Sequence, residues 1–188
     1  MAIPYRDQEE VDELGNAAFL SLQTNGDESE YRAALFQINA RGEPIEFTYN
    51  RIHTPSSFLW RAGDLQRLAM SKLTMSLLEA CPTIPRLVFC LAAQVPSELF
   101  CKYVRLQLPV CRISQSEQQA VGLPSEILEA TTIPERLSLL WFPSAPTEAS
   151  PERQLTQRLG TRGLLTEPFE RASNGLHEIY DHADSQRP

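Results

Sequence analysis

A chain of 188 residues with 42% apolar and 22% charged residues is long enough for one full hydrophobic core and short for two. Its formal charge is −7, unevenly placed: residues 1–30 carry eight acids and one base, residues 31–142 nine and eleven, and residues 143–188 seven and five. This pattern lacks the concentrated Lys/Arg footprint of a DNA-coating protein, and no apolar run reaches the roughly 20 residues of a membrane helix.

The opening segment, MAIPYRDQEEVDE, has neither the basic start nor the apolar stretch of a signal peptide, so the expected location is cytoplasmic. Residues 6–14 read as a short acidic helix or an arm. AAFLSLQT (17–24) reads as a strand, and NGDESE after it as a turn. A hairpin follows. Ala34, Phe36 and Ile38 alternate with Leu35, Gln37 and Asn39; beyond Gly42 and Pro44, Ile45, Phe47 and Tyr49 alternate with Glu46, Thr48 and Asn50. Period-two alternation of this kind predicts half-buried strands. His53–Ser57 breaks the strand and offers a serine cap, and Leu65, Leu68, Ala69, Leu73, Leu77 and Ala80 then follow helical spacing as far as Cys81-Pro82.

RLVFCLAA (86–93), apolar at both parities, predicts a central strand covered on both sides. SELFCKY (97–103) predicts a helical turn or two. VRLQLPVCRI (104–113) predicts an edge or bulged strand because of Pro109. PSEILEA (124–130) predicts a short helix, and RLSLLWF (136–142) a strand. The expected fold class is therefore α+β: a mixed sheet with an N-terminal antiparallel three-stranded meander, a packed helix and a central strand. The expected division is a core domain over 1–142, a Pro-rich linker over 143–150 and a helical extension over 151–188. In that extension Phe169, Ala172, Leu176 and Ile179 form a narrow apolar stripe, with Tyr180 beside it.

The order strand, strand, strand, helix, strand, helix, strand is similar to that of ribonuclease H-like nucleases and of several unrelated α+β domains. Catalysis by the nucleases implies carboxylates holding two metal ions, the first on the opening strand and another near the end of the fourth. Here the opening strand holds no acid, and the fourth ends in Ala92, Ala93 and Gln94. The catalytic candidates left are Glu46, Asp64 and His53, which form no cluster in sequence. His177 and His182 miss the i, i+4 spacing of a helical metal pair. Cys81, Cys90, Cys101 and Cys111 form no CxxC pair, and the eight glycines form no phosphate-binding loop.

No metal or other cofactor is expected. The function expected from these features is a non-catalytic protein-interaction subunit of a larger assembly that processes nucleic acid, with Phe169, Leu176, Ile179 and Tyr180 meeting a protein partner. Nucleic acid itself is a second candidate partner that the net charge does not favour, and no membrane contact is expected. The alternative is a divergent or degenerate ribonuclease H-like nuclease or nucleic-acid-binding domain.

Overall fold

The computed structural model describes residues 13–25, 29–54, 60–61, 63–115, 126–130 and 137–185. Most of the acidic segment 6–14, the Ser56–Ser57 helix start and the Pro124 turn lie outside the described residues. β1 (Asn16–Thr24), β2 (Glu30–Asn39) and β3 (Pro44–His53) form an antiparallel meander, and α1 (Asp64–Ala80) leads to β4 (Leu87–Leu91). A π-helical turn (Leu99–Tyr103) precedes β5 (Val110–Ser114), followed by β6 (Ile127–Ala130), β7 (Ser138–Phe142), α2 (Pro151–Thr161) and α3 (Glu167–Ser185). The seven strands make one mixed sheet in the order β3-β2-β1-β4-β5-β7-β6, in which β1, β4 and β5 run parallel.

Strand parity divides the core into two layers. Ala17, Phe19, Phe36, Phe89 and Cys111 point to the face covered by α2 and α3. Ala18, Leu20, Leu35, Val88 and Cys90 point to the face covered by α1, where Leu73 and Leu77 meet them. Both parities of β1, β2 and β4 are apolar because both faces of the sheet are dry, as in strands covered by helices on each side. β2 is accordingly buried on both faces rather than half-buried, and the edge strand β3 carries the exposed positions.

Three local expectations change. Pro109 precedes β5 instead of interrupting it; its carbonyl accepts from the Val88 N–H at 3.0 Å, and β5 lies inside the sheet between β4 and β7. Residues 127–130 form a strand, not a helix, because Ile127–Ala130 pairs antiparallel with Trp141–Ser138. Tertiary pairing overrides the weak helical preference of ILEA there. Finally, α2 and α3 form a layer of the core rather than an extension behind a linker. Leu155, Leu159, Phe169, Ala172 and Leu176 are all at most 4% exposed and share one cluster with the sheet. Burying each large side chain of this set contributes about 1.5–3 kcal/mol. No helix among the described residues is long and apolar enough to cross a membrane.

Candidate functional site

Parallel strands end together, and in open α/β sheets the crevice outside their carboxyl ends is where ligands collect. β4 stops at Leu91, whereas β1 continues to Thr24. The chain turns sharply after β4: the Ala92 N–H donates to the Ile113 carbonyl at 2.8 Å, and the Gln94 and Val95 N–H groups donate to the Leu91 carbonyl at 3.0 and 2.9 Å. This turn brings Gln94 alongside β1, where its Oε1 accepts from the Leu22 N–H at 3.3 Å. A side chain thus takes the place of the missing strand ladder, and the two strands part beyond it.

On the α3 side of this gap, strand parity places Ser21 and Gln23 of β1, Leu91 of β4 and Gln115 just past β5 on one face, the face that also carries Phe19, Phe89 and Ile113. α3 closes over it. Its Ser173 Oγ accepts from Gln23 Nε2 at 2.7 Å, tying the helix to β1. What remains open is a cleft of about 400 Å³ whose lining includes Leu91, Gln94, Gln115, Phe169, Glu170 and Asn174. Glu170, Ser173 and Asn174 fall on one side of α3 because their spacing is i, i+3, i+4. Behind the cleft, abreast of Leu91, Ser21 is fully buried and its Oγ has no partner among the described residues.

The turn that carries Gln94 is clamped from the other face of the sheet. Arg112 Nε donates to the Val95 carbonyl at 3.0 Å, while its Nη1 donates to both carboxylate oxygens of Glu126 at 2.8 and 2.9 Å. The two side chains are 6% and 1% exposed, so each charge depends on the other. Removing one partner of such a pair costs about 3–5 kcal/mol. Arg112 therefore positions Gln94 through the backbone between them.

None of the residues singled out as catalytic candidates lines this cleft. Glu46 stands opposite Gln37 near the β2–β3 turn, whereas His53 stands opposite Glu30 at the other end of the same strand. Six residues of strand lie between them, a separation of roughly 23 Å. His53 Nδ1 lies 3.2 Å from Glu30, which also pairs with Arg32 and Arg51. Asp64 opens α1 on the opposite face of the sheet and pairs with Arg67. The structure does not bring the three together.

The partner-docking expectation for α3 also changes. Phe169 packs edge-on against Phe19 with ring centroids 5.2 Å apart, Leu176 is fully buried, and Ile179 packs against the same cluster. Tyr180 is covered by Arg32 and Arg51, whose guanidinium carbons lie 5.1 and 4.8 Å from its ring centre. The stripe is occupied by its own sheet. Of the four residues, Phe169 alone reaches the cleft lining.

The described residues of the cleft do not make a two-metal centre. Magnesium sites are built on carboxylates, and the described lining supplies one, Glu170, among amides and hydroxyls. Among the described residues no group of three or more His, Cys, Asp or Glu is placed to hold a metal ion. Thiol chemistry finds no support either. Cys90 and Cys111 face opposite sides of the sheet, and burial pushes the Cys90 thiol up to about 12 and the Cys111 thiol well above its ordinary value. His177 lies on the exposed side of α3 beside Asp181, at 3.1 Å, and the His182 side chain lies outside those described.

Sequence reasoning placed Gln94 at the end of the fourth strand but missed Gln23, Gln115, Glu170, Ser173 and Asn174. The available signal was the polar residue at the inward ends of β1 (Gln23) and just past β5 (Gln115), together with the polar i, i+3, i+4 set on α3.

No family model matches the chain, and no curated protein matches it in sequence. Among solved structures, the endonuclease V of Streptomyces avermitilis is similar with a TM-score of 0.57 at 13% identity, over 98% of this chain and 96% of its own. The endonuclease V of Bacillus subtilis is similar with a TM-score of 0.55 at 13% identity, over 94% and 85%. Likeness at this level is one of fold, and the fold is ribonuclease H-like. It covers 98% of the chain, and it overturns the reading of a non-catalytic protein-interaction subunit.

Proposed function

We propose that this chain is a divergent ribonuclease H-like domain that binds single-stranded nucleic acid across the cleft at the ends of β1, β4 and β5. The observation that carries this reading is the open polar cleft between the parting strands and α3, in a fold shared over nearly its full length with two endonucleases V. The nucleic acid is bound rather than cut in this reading, because the described lining holds a single carboxylate where two-metal hydrolysis needs several. Along the same flank of α3, Arg32 and Arg51 are matched by Glu30 and Asp181, so the surface beside the cleft is polar without a net positive field. Few phosphates are then neutralised on binding, and the salt dependence is shallow, with about one to three counterions released.

Fluorescence anisotropy of labelled 12-nucleotide DNA and RNA, read between 50 and 200 mM salt, tests this directly. The expected result is saturable binding with that shallow slope and intact strands after incubation with Mg²⁺ or Mn²⁺. Absence of binding to either strand rejects the reading. Metal-dependent cleavage lost in Glu170→Gln makes the domain a nuclease instead.

A further inference from the structure

We infer that the cleft receives one unpaired nucleobase by its hydrogen-bonding edge, an uncharged planar ligand, instead of a phosphate or a metal ion. The inference deepens the nucleic-acid reading above and rests on it for the source of the base.

Charge is the first argument. Among the described residues the cleft lining holds no Lys, Arg or His and one carboxylate, Glu170. A phosphate placed there meets a like charge with no described base in the lining to offset it, and like charges a few ångströms apart repel. A lone carboxylate among amides equally falls short of the oxygen set that a magnesium ion takes from carboxylates.

Hydrogen-bond inventory is the second. Gln94 spends its Oε1 on the Leu22 N–H, and no hydrogen bond to another described residue engages its Nε2 donors, which fixes which end of the amide is on offer. No hydrogen bond to another described residue engages the amides of Gln115 or Asn174. With the Glu170 carboxylate they present alternating donors and acceptors at one opening. Asn and Gln amides suit the edge of a base, which carries a donor and an acceptor side by side, and a carboxylate accepts from an exocyclic amine or a ring N–H.

Shape is the third. Leu91 and Phe169 supply apolar surface within the same lining, the kind of wall against which a base face packs. A volume of about 400 Å³ lies at the lower end of the range for small-molecule sites, enough for one base with its sugar. That combination suits a polar, neutral guest.

Titration of the full chain with the four common ribonucleosides, with inorganic phosphate and with MgCl₂, followed by amide chemical-shift changes, tests the inference. At least one nucleoside is expected to bind and to shift the Leu22, Gln94 and Gln115 signals, while phosphate and Mg²⁺ leave them unmoved. Gln115→Ala and Asn174→Ala, both on exposed positions that leave the core intact, are expected to weaken that nucleoside five-fold or more. Glu170→Gln is expected to change the order of preference among the four. Phosphate or Mg²⁺ shifting these signals while no nucleoside does overturns the inference. So does a nucleoside affinity unchanged in both alanine variants.

The two readings fail separately. An oligonucleotide that binds equally well when made abasic, and equally well to the alanine variants, removes the base site and keeps the nucleic-acid domain. Nucleosides that bind in the cleft while no oligonucleotide binds keep the base site and remove the nucleic-acid domain.

Discussion

Cys90 and Cys111 sit on neighbouring strands yet face opposite layers of the core, each fully buried, whereas Cys81 and Cys101 are partly exposed. Since the thiolate is the reactive form, burial that raises a thiol's pKa also silences it. Iodoacetamide at pH 8 is expected to label two thiols in the native protein and all four in denaturant, counted by mass spectrometry; rapid native labelling of all four contradicts this core. A second residue-scale case is Glu129 on β6. Its carboxylate accepts from Arg153 Nη1 at 2.6 Å and from the Trp141 indole N–H at 3.0 Å, and the Arg153 guanidinium holds its pKa below the ordinary carboxylate value. A depressed pKa contributes stability that is present above the unfolded value of about 4.3 and is lost as pH falls through the folded value. Glu129→Gln is therefore expected to cost about 1–2 kcal/mol at neutral pH and almost nothing near pH 2, measured by urea unfolding at both. Neither pairing was legible in the sequence, because Arg153 lies 24 residues from Glu129 and they meet only once β6 has paired with β7 and α2 has packed on the sheet.

α3 shows how an element is fitted to its place. Gly175 sits mid-helix, where glycine costs about 1 kcal/mol relative to alanine. The reason is contact: a Cβ at that position would stand 2.8 Å from Phe47 Cζ, so the helix reaches β3 only because the side chain is missing. Gly175→Val is expected to destabilise by about 1–3 kcal/mol through overpacking. Phe47→Leu in the same chain should recover part of that loss, and an additive double-mutant cycle by thermal or chemical unfolding would show that the contact is absent. Elements whose own residues decide them were legible: the β2–β3 hairpin from its alternation, the end of α1 from Cys81-Pro82, and the start of α2, where Ser150 Oγ accepts from the Arg153 N–H at 3.2 Å and Pro151 takes the first position. Elements decided by their neighbours were not. ILEA is a strand because β7 lies beside it, and Pro109 ends a loop because β4 takes its carbonyl.

Across the whole molecule the two helical layers are unequal in origin but alike in consequence. Deleting 151–188 strips one complete face of the sheet, exposing Phe19, Phe36, Phe89 and Trp141. The truncated chain is expected to lose cooperative unfolding and to bind a hydrophobic dye; a truncated chain that keeps a sharp thermal transition would show that the α1 layer suffices. This also explains why the fold was easier to read than the site. The apolar pattern is spread over the chain and survives being read piece by piece. The cleft's polar lining comes from single residues in the turn after β4, just past β5 and on and just before α3, none of them unusual in its own segment.

The parting of β1 from β4 has a consequence for dynamics. Leu20 lies within the paired stretch of β1 and β4, whereas the Leu22 amide beyond it is held by one glutamine side chain. Its hydrogen exchange should follow the rotamer excursions of Gln94 rather than the opening of the sheet. Exchange at Leu22 is thus expected to be orders of magnitude faster than at Leu20 in the free protein. A guest that pins Gln94 should slow it selectively, which makes this backbone proton a built-in gauge of cleft occupancy.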